Sequence, residues 1–153
     1  MLYGTECLAM GKADEMKMIR SQRRCVRIMT GTSRRKQWKA RISNAELEGQ
    51  LRLESMEFCL RRRALRWVGH VVRMPYDRLP RKLLFGWVEN ARPKGGHKLR
   101  YGQRVKRLVA EAATAASTAV RQLLCGRRKI SWVKLAEGRA KWRMLVQAGR
   151  KHD

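Results

Sequence analysis

Apolar and polar positions separate most cleanly between Ser55 and Pro75. On a 3.6-residue period, Met56, Leu60, Trp67, Val71 and Met74 stack on one side of a helix. Arg62, Arg66, His70 and Arg73 gather on the opposite side, at steps of four, four and three. Ser55 is placed to cap this helix and Pro75 to end it near Met74. One face therefore suits a core and the other a polyanion. Gly69 lies inside the helix, where it costs ~1 kcal/mol relative to Ala. On a buried flank it would permit close approach by a neighbouring helix.

The same periodicity predicts further helices. One runs from about Asp14 to Met29, with Asp14 and Glu15 at its positive end, Gly31 as its stop, and Ile19, Gln22, Val26 and Met29 sharing a face. Residues Thr30 to Arg41 are polar and basic and read as a loop anchored by Trp38. Ser43 or Asn44 can cap a short helix to Gln50. Asp77 to Pro80 opens another, with Leu83, Leu84, Trp87 and Val88 on its apolar side. Beyond it, Val105, Leu108, Val109 and Ala112 mark a helix that can continue into the Ala/Thr-rich stretch. Ser131 caps a last helix, Trp132 to about Ala148, with Leu135, Trp142 and Val146 on one face and Arg139 in the same arc. No strand series is visible, so the expected fold is all-α, an irregular helical bundle. The basic Pro/Gly stretch 90–98 has almost nothing to bury. It divides the chain into an expected helical unit, 1–89, a linker, 90–98, and a C-terminal helical extension, 99–153.

Charge narrows the partners. The 153 residues carry 37 Lys and Arg against 12 Asp and Glu, a formal net charge of +25. A compact chain of this kind repels itself, and polyanions relieve the repulsion. Nucleic acid is the first expectation, an anionic membrane surface the main rival, and acidic proteins third. No run reaches the ~18 apolar residues of a membrane span, and the N-terminus has no signal-peptide pattern. The expected location is intracellular, with the nucleus as the compartment.

Catalytic chemistry has little to draw on. There is no phosphate-binding loop, no dinucleotide fingerprint and no nucleophile elbow. Carboxylates are scattered, and Asp77 reads as a helix-start residue rather than a metal ligand. Cys7, Cys25, Cys59 and Cys125 form no Cys-x-x-Cys pair, and His70, His97 and His152 form no cluster. The thiols are expected to be free and at least partly buried, and no cofactor is expected. The candidate contacts are to nucleic acid: Arg34, Arg35, Lys36 and Trp38 in the basic loop, Arg62, Arg66, His70 and Arg73 on the long helix, and Arg92 and Lys94 in the linker. Of the five tryptophans, each can stack on an unpaired base or anchor a core. Trp38 is expected to be accessible, because its neighbours are cationic.

In order along the chain, Leu2-Tyr3-Gly4-Thr5-Glu6, Lys12-Ala13-Asp14-Glu15, Arg24-Cys25-Val26-Arg27 and Ile42-Ser43-Asn44-Ala45-Glu46-Leu47 lead into the Leu65 to Met74 block. Asp77-Arg78-Leu79-Pro80, Arg92-Pro93-Lys94 and Trp132 to Val146 follow. The whole resembles the C-terminal region of LINE-type, non-LTR retrotransposon reverse transcriptases, downstream of the polymerase palm. That resemblance implies a helical thumb and extension that grip template and primer, without the palm's metal-binding carboxylates or the endonuclease domain. Leu8 stands where the family has Trp, and Gly138 where an Asp precedes Arg139. The alternative is a transposon-derived remnant, inert or protein-binding, that associates with polyanions only non-specifically.

Overall fold

The computed structural model describes residues 3–86, 101–116, 118, 121–122 and 131–149. Among them the fold is all-α, with no strand. The helices are α1 (Lys12–Met29), α2 (Arg34–Lys39), α3 (Asn44–Gln50), α4 (Met56–Val72), α5 (Leu79–Phe85), α6 (Tyr101–Ala115), α7 (Trp132–Glu137) and α8 (Arg139–Gln147).

Helix α4 is the centre, packing against α1, α5, α6, α7 and α8. Its start is closed by side chains. Ser55 accepts from the Phe58 amide at 3.3 Å, and the Met56 amide donates to Gln22 Oε1 at 2.9 Å. Gln22 Nε2 in turn donates to the Glu54 carbonyl, so one α1 amide group ties α1 to the head of α4. Ala64, Leu65, Val68 and Val72 of α4 form the main core with Val105, Leu108 and Ala112 of α6 and Leu135, Trp142 and Leu145 of α7 and α8. Helices before and after residues 90–98 thus share one core. A smaller cluster joins Ile19 of α1 to Met56 and Leu60.

The closest approach is at Gly69. A Cβ there would lie 2.2 Å from Trp142 Nε1, so only glycine admits the α8 indole. Trp142 is 2 % exposed, and its Nε1 donates to the Leu65 carbonyl at 2.9 Å, so the buried indole N–H is satisfied. Arg61 of α4 and Arg73 just past its end cap the helices that pack on it: Arg61 donates to the Ala148 carbonyl (2.8 Å) and Arg73 to the Ala136 carbonyl (2.6 Å). Cations satisfy helix C-terminal carbonyls and oppose the negative dipole end. Helix α6 holds the N-terminal turn in the same way. The Tyr101 hydroxyl donates to the Glu6 carbonyl (2.7 Å), and buried Arg104 donates to the carbonyls of Thr5 (3.2 Å) and Leu8 and pairs with Glu15. Burial pushes the Tyr101 phenol well above its usual range.

Several expectations change. The segment Thr30 to Arg41 is not a loop, because α2 occupies its middle. Ser33 caps that helix by accepting from the Lys36 amide, and Arg, Lys and Gln are good helix formers even where nothing is buried. The last helix is two. Gly138, at φ −78° and ψ 95°, ends α7 and begins α8, at a residue that disfavours a continuous helix by ~1 kcal/mol relative to Ala. Arg139 is exposed, as a charged residue at the edge of the apolar arc would be. Met29 is 65 % exposed rather than on the buried face. Met56, Leu60 and Val71 are buried as expected, but Trp67 is only half-buried, edge-on to Tyr101 at 5.5 Å, and Phe58, Leu65, Val68 and Val72 widen the buried face. Leu83 is exposed and Leu84 packs on the core, whereas Trp87, Val88 and Cys125 lie outside the described residues. Cys7 and Cys25 are exposed. Cys59 is partly buried, and burial together with Glu54 raises its thiol pKa.

The same substitution should have opposite signs at two glycines. Gly69→Ala overpacks against Trp142 and should lower stability by roughly 1–3 kcal/mol. Gly49→Ala, with nothing within 4 Å of the added methyl, should raise it by about 0.5–1 kcal/mol. Thermal melts followed by circular dichroism measure both.

Candidate nucleic-acid interface

The cleft that stands out lies between α1 and the α2–α3 segment, with a volume of about 1240 Å³. Arg20, Arg23 and Arg27 line it from α1, at steps of three and four that keep them on one helix face. Arg34, Lys39 and Arg41 line it from α2 and its C-terminal turn, together with Trp38, Gln37, Ile42 and Asn44. No carboxylate lines it. Among the described residues only Arg23 of these six cations pairs with an acid, Glu57 at 3.5 Å. At 80 % exposure, Trp38 is solvated and has no ring or cation–π contact among the described residues.

Local chemistry makes this wall rigid. Gln37 Nε2 donates to the Ile42 carbonyl (3.2 Å) and to Asn44 Oδ1 (3.0 Å), locking the α2–α3 junction. Ser43 and Glu46 form a reciprocal capping box that starts α3. Helix α2 closes with two bonds, Arg41 N–H to the Trp38 carbonyl and Ile42 N–H to the Gln37 carbonyl. This is the Schellman pattern, in which the residue after the cap takes a left-handed conformation and glycine is preferred. Here that residue is Arg41, at φ 52°. After α1 the equivalent position is Gly31, at φ 62°. An arginine in the left-handed region costs roughly 1–2 kcal/mol relative to the ordinary helical one. At position 41 that cost places a guanidinium on the cleft wall.

The residues expected from the sequence divide. Arg34 and Trp38 line the cleft, while Arg35 and Lys36 are exposed on α2 outside it. Arg62 of α4 is engaged by Glu54 at 2.8 Å, and Arg73 by the Ala136 carbonyl. Burial and then nearby Arg139 lower the Arg73 pKa. Arg66 and His70 are exposed on α4, away from the cleft. Arg92 and Lys94 lie outside the described residues. Arg20, Arg23, Arg27, Lys39 and Arg41 are the additions. The helical spacing of the α1 arginines was a readable signal, but nothing in the sequence placed that face opposite Trp38. Among the described residues no three His, Cys, Asp or Glu side chains stand close enough to hold a metal ion, and no helix is long and apolar enough to cross a membrane.

No family model matches the chain, and no curated protein or solved structure is similar to it.

Replacing Arg41 with Gly should raise stability by about 1 kcal/mol, a Tm increase of ~2–4 °C, because it relieves the left-handed arginine. A thermal melt of Arg41→Gly beside the parent checks this.

Proposed function

We propose that the chain is a non-catalytic nucleic-acid-binding module of weak sequence selectivity, related to the region downstream of the palm in non-LTR retrotransposon reverse transcriptases. On this reading it works inside the cell, in the nucleus, and needs no cofactor. The observation that carries it is the cleft between α1 and α2: six cations face one open space and no acid lines it. Mutual repulsion among those side chains is relieved when phosphates enter, and the counterions released from the nucleic acid add a favourable, salt-dependent term. The cleft exceeds the ~300–1,000 Å³ of ordinary small-ligand pockets and is polar where those are mostly apolar. A polymer backbone suits it better than a compact metabolite. Weak selectivity fits its polar lining, which is mostly guanidinium and ammonium groups suited to phosphate, while the amides of Gln37 and Asn44 bond each other.

If the six cleft cations neutralise about six phosphates, log K against log salt on duplex DNA should have a slope near −5. Replacing Arg20, Arg27 and Arg34 together with Gln should reduce the magnitude of that slope by about 3 and weaken binding, while the thermal melt stays close to that of the parent. A parent slope near zero would remove the reading. Magnesium-dependent primer extension by the pure chain is expected to be absent, and robust extension in a template-primer assay would contradict a non-catalytic role.

A further inference from the structure

We propose that the α1–α2 cleft is a site for an unpaired nucleic-acid strand, in which a base stacks on the Trp38 indole while cations on the two walls hold the adjoining phosphates. This rests on the nucleic-acid reading above and specifies its substrate.

Trp38 does nothing visible for the fold. At 80 % exposure it forgoes most of the burial that makes tryptophan a strong core residue. Its helix contributes no buried residue at all. Yet the indole stands in a large cleft whose walls are cationic, with Arg20 and Arg27 on one side and Arg34 and Arg41 on the other. Base faces are hidden inside a duplex and open in a single strand, so an accessible indole discriminates for the unpaired form. Phosphate charge is common to both forms and contributes affinity without discrimination.

The platform is also pre-organised. The Schellman closure after α2 and the Gln37–Asn44 bond fix the backbone on both sides of the Trp38 turn. Little ordering is then left to pay for when a base arrives, the condition under which stacking adds most to affinity. Arg41 belongs to the same closure, so its guanidinium is carried by the turn that carries the indole. The walls offer no carboxylate to accept from a base amino group, and this favours a backbone-and-stacking mode over reading of base identity. A flat lipid surface, the other common partner of an exposed tryptophan among cations, meets convex surfaces more readily than a concave cleft.

The test uses the full chain and fluorescence anisotropy with labelled oligothymidylate and oligouridylate of about 12 nucleotides, a length within the ~4–16 typical of single-strand sites. The comparison is a duplex of the same phosphate number at the same salt. The parent should bind at least one of the two strands more tightly than duplex. Trp38→Ala should weaken that binding by roughly 5- to 150-fold and change duplex binding by less than about twofold. Trp38→Phe should keep most of the strand affinity, and the salt slope on the strand should be the same in all three proteins, because no cation is removed. Melts should coincide, since an exposed side chain is removed. Equal loss on strand and duplex, or no loss on either, overturns the single-strand site while polyanion binding by the cleft still stands. Competition by anionic phosphatidylserine vesicles as effective as that by the free strand also overturns it. If the parent binds neither strand nor duplex, the nucleic-acid reading itself fails, and the site falls with it.

Discussion

The contact on which the architecture turns is the indole of Trp142 lying on Gly69. Helix α4 packs against five other helices, and the α8 indole fits against it at Gly69 because a side chain is missing there. At that point the indole covers the α4 backbone and hydrogen-bonds the Leu65 carbonyl one turn earlier. Shape and polarity are satisfied together. The contact positions α8, and α7 joins α8 directly at Gly138 and packs on α4 as well. The carbonyls of Ala136 and Ala148 thereby come within reach of Arg73 and Arg61.

This places the arginines of a strongly basic chain in two populations. Arg61, Arg73 and Arg104 are spent on backbone carbonyls, and Arg62 and Arg107 on carboxylates. Their charge serves as a hydrogen-bonding device for helix ends and for the N-terminal turn, where neutral side chains would bond more weakly. With only 12 acidic residues in the chain, pairing cannot extend to all the cations. Among the described residues, Arg20, Arg27, Arg34, Lys39 and Arg41 pair with no acid and meet where α1 and α2 face each other. A surface of unsatisfied positive charge beside a solvated tryptophan works against a compact fold, and the left-handed Arg41 adds to that strain. The stability lost there is compensated in the dry α4–α6–α8 core.

The two arginines in left-handed turns show why strain alone does not define a site. Arg52, at φ 51°, closes α3 with the same two-bond pattern that Arg41 uses after α2, yet it lines a much smaller pocket together with Glu48 and Glu54. Only Arg41 combines the strained backbone with an acid-free cationic surround. The environment, not the dihedral angle, separates the two.

Local information went far in this chain. Period 3.6 located α1, α4 and α6; Ser43, Ser55 and Ser131 marked helix starts because a hydroxyl accepting a backbone amide is a local interaction; and Gly69 was recognisable as a place for close approach. The isolation of Trp38 followed from its cationic neighbours. Other features were illegible for equally physical reasons. Helix α2 buries nothing, so no apolar period announces it. Gly138 breaks a helix whose apolar spacing continues across it. Arg62, Arg66, His70 and Arg73 share a helix face in the sequence, but whether each charge is free depends on Glu54 and on a carbonyl 63 residues away. The amino-acid sequence by itself determined the helical class, the charge excess and the local caps, all of which depend on neighbours within a turn or two. Which tryptophan became a core anchor, which arginines were consumed by the fold, and which met across an open cleft were decided by tertiary packing, because charge pairing and burial depend on distances that only the folded chain creates.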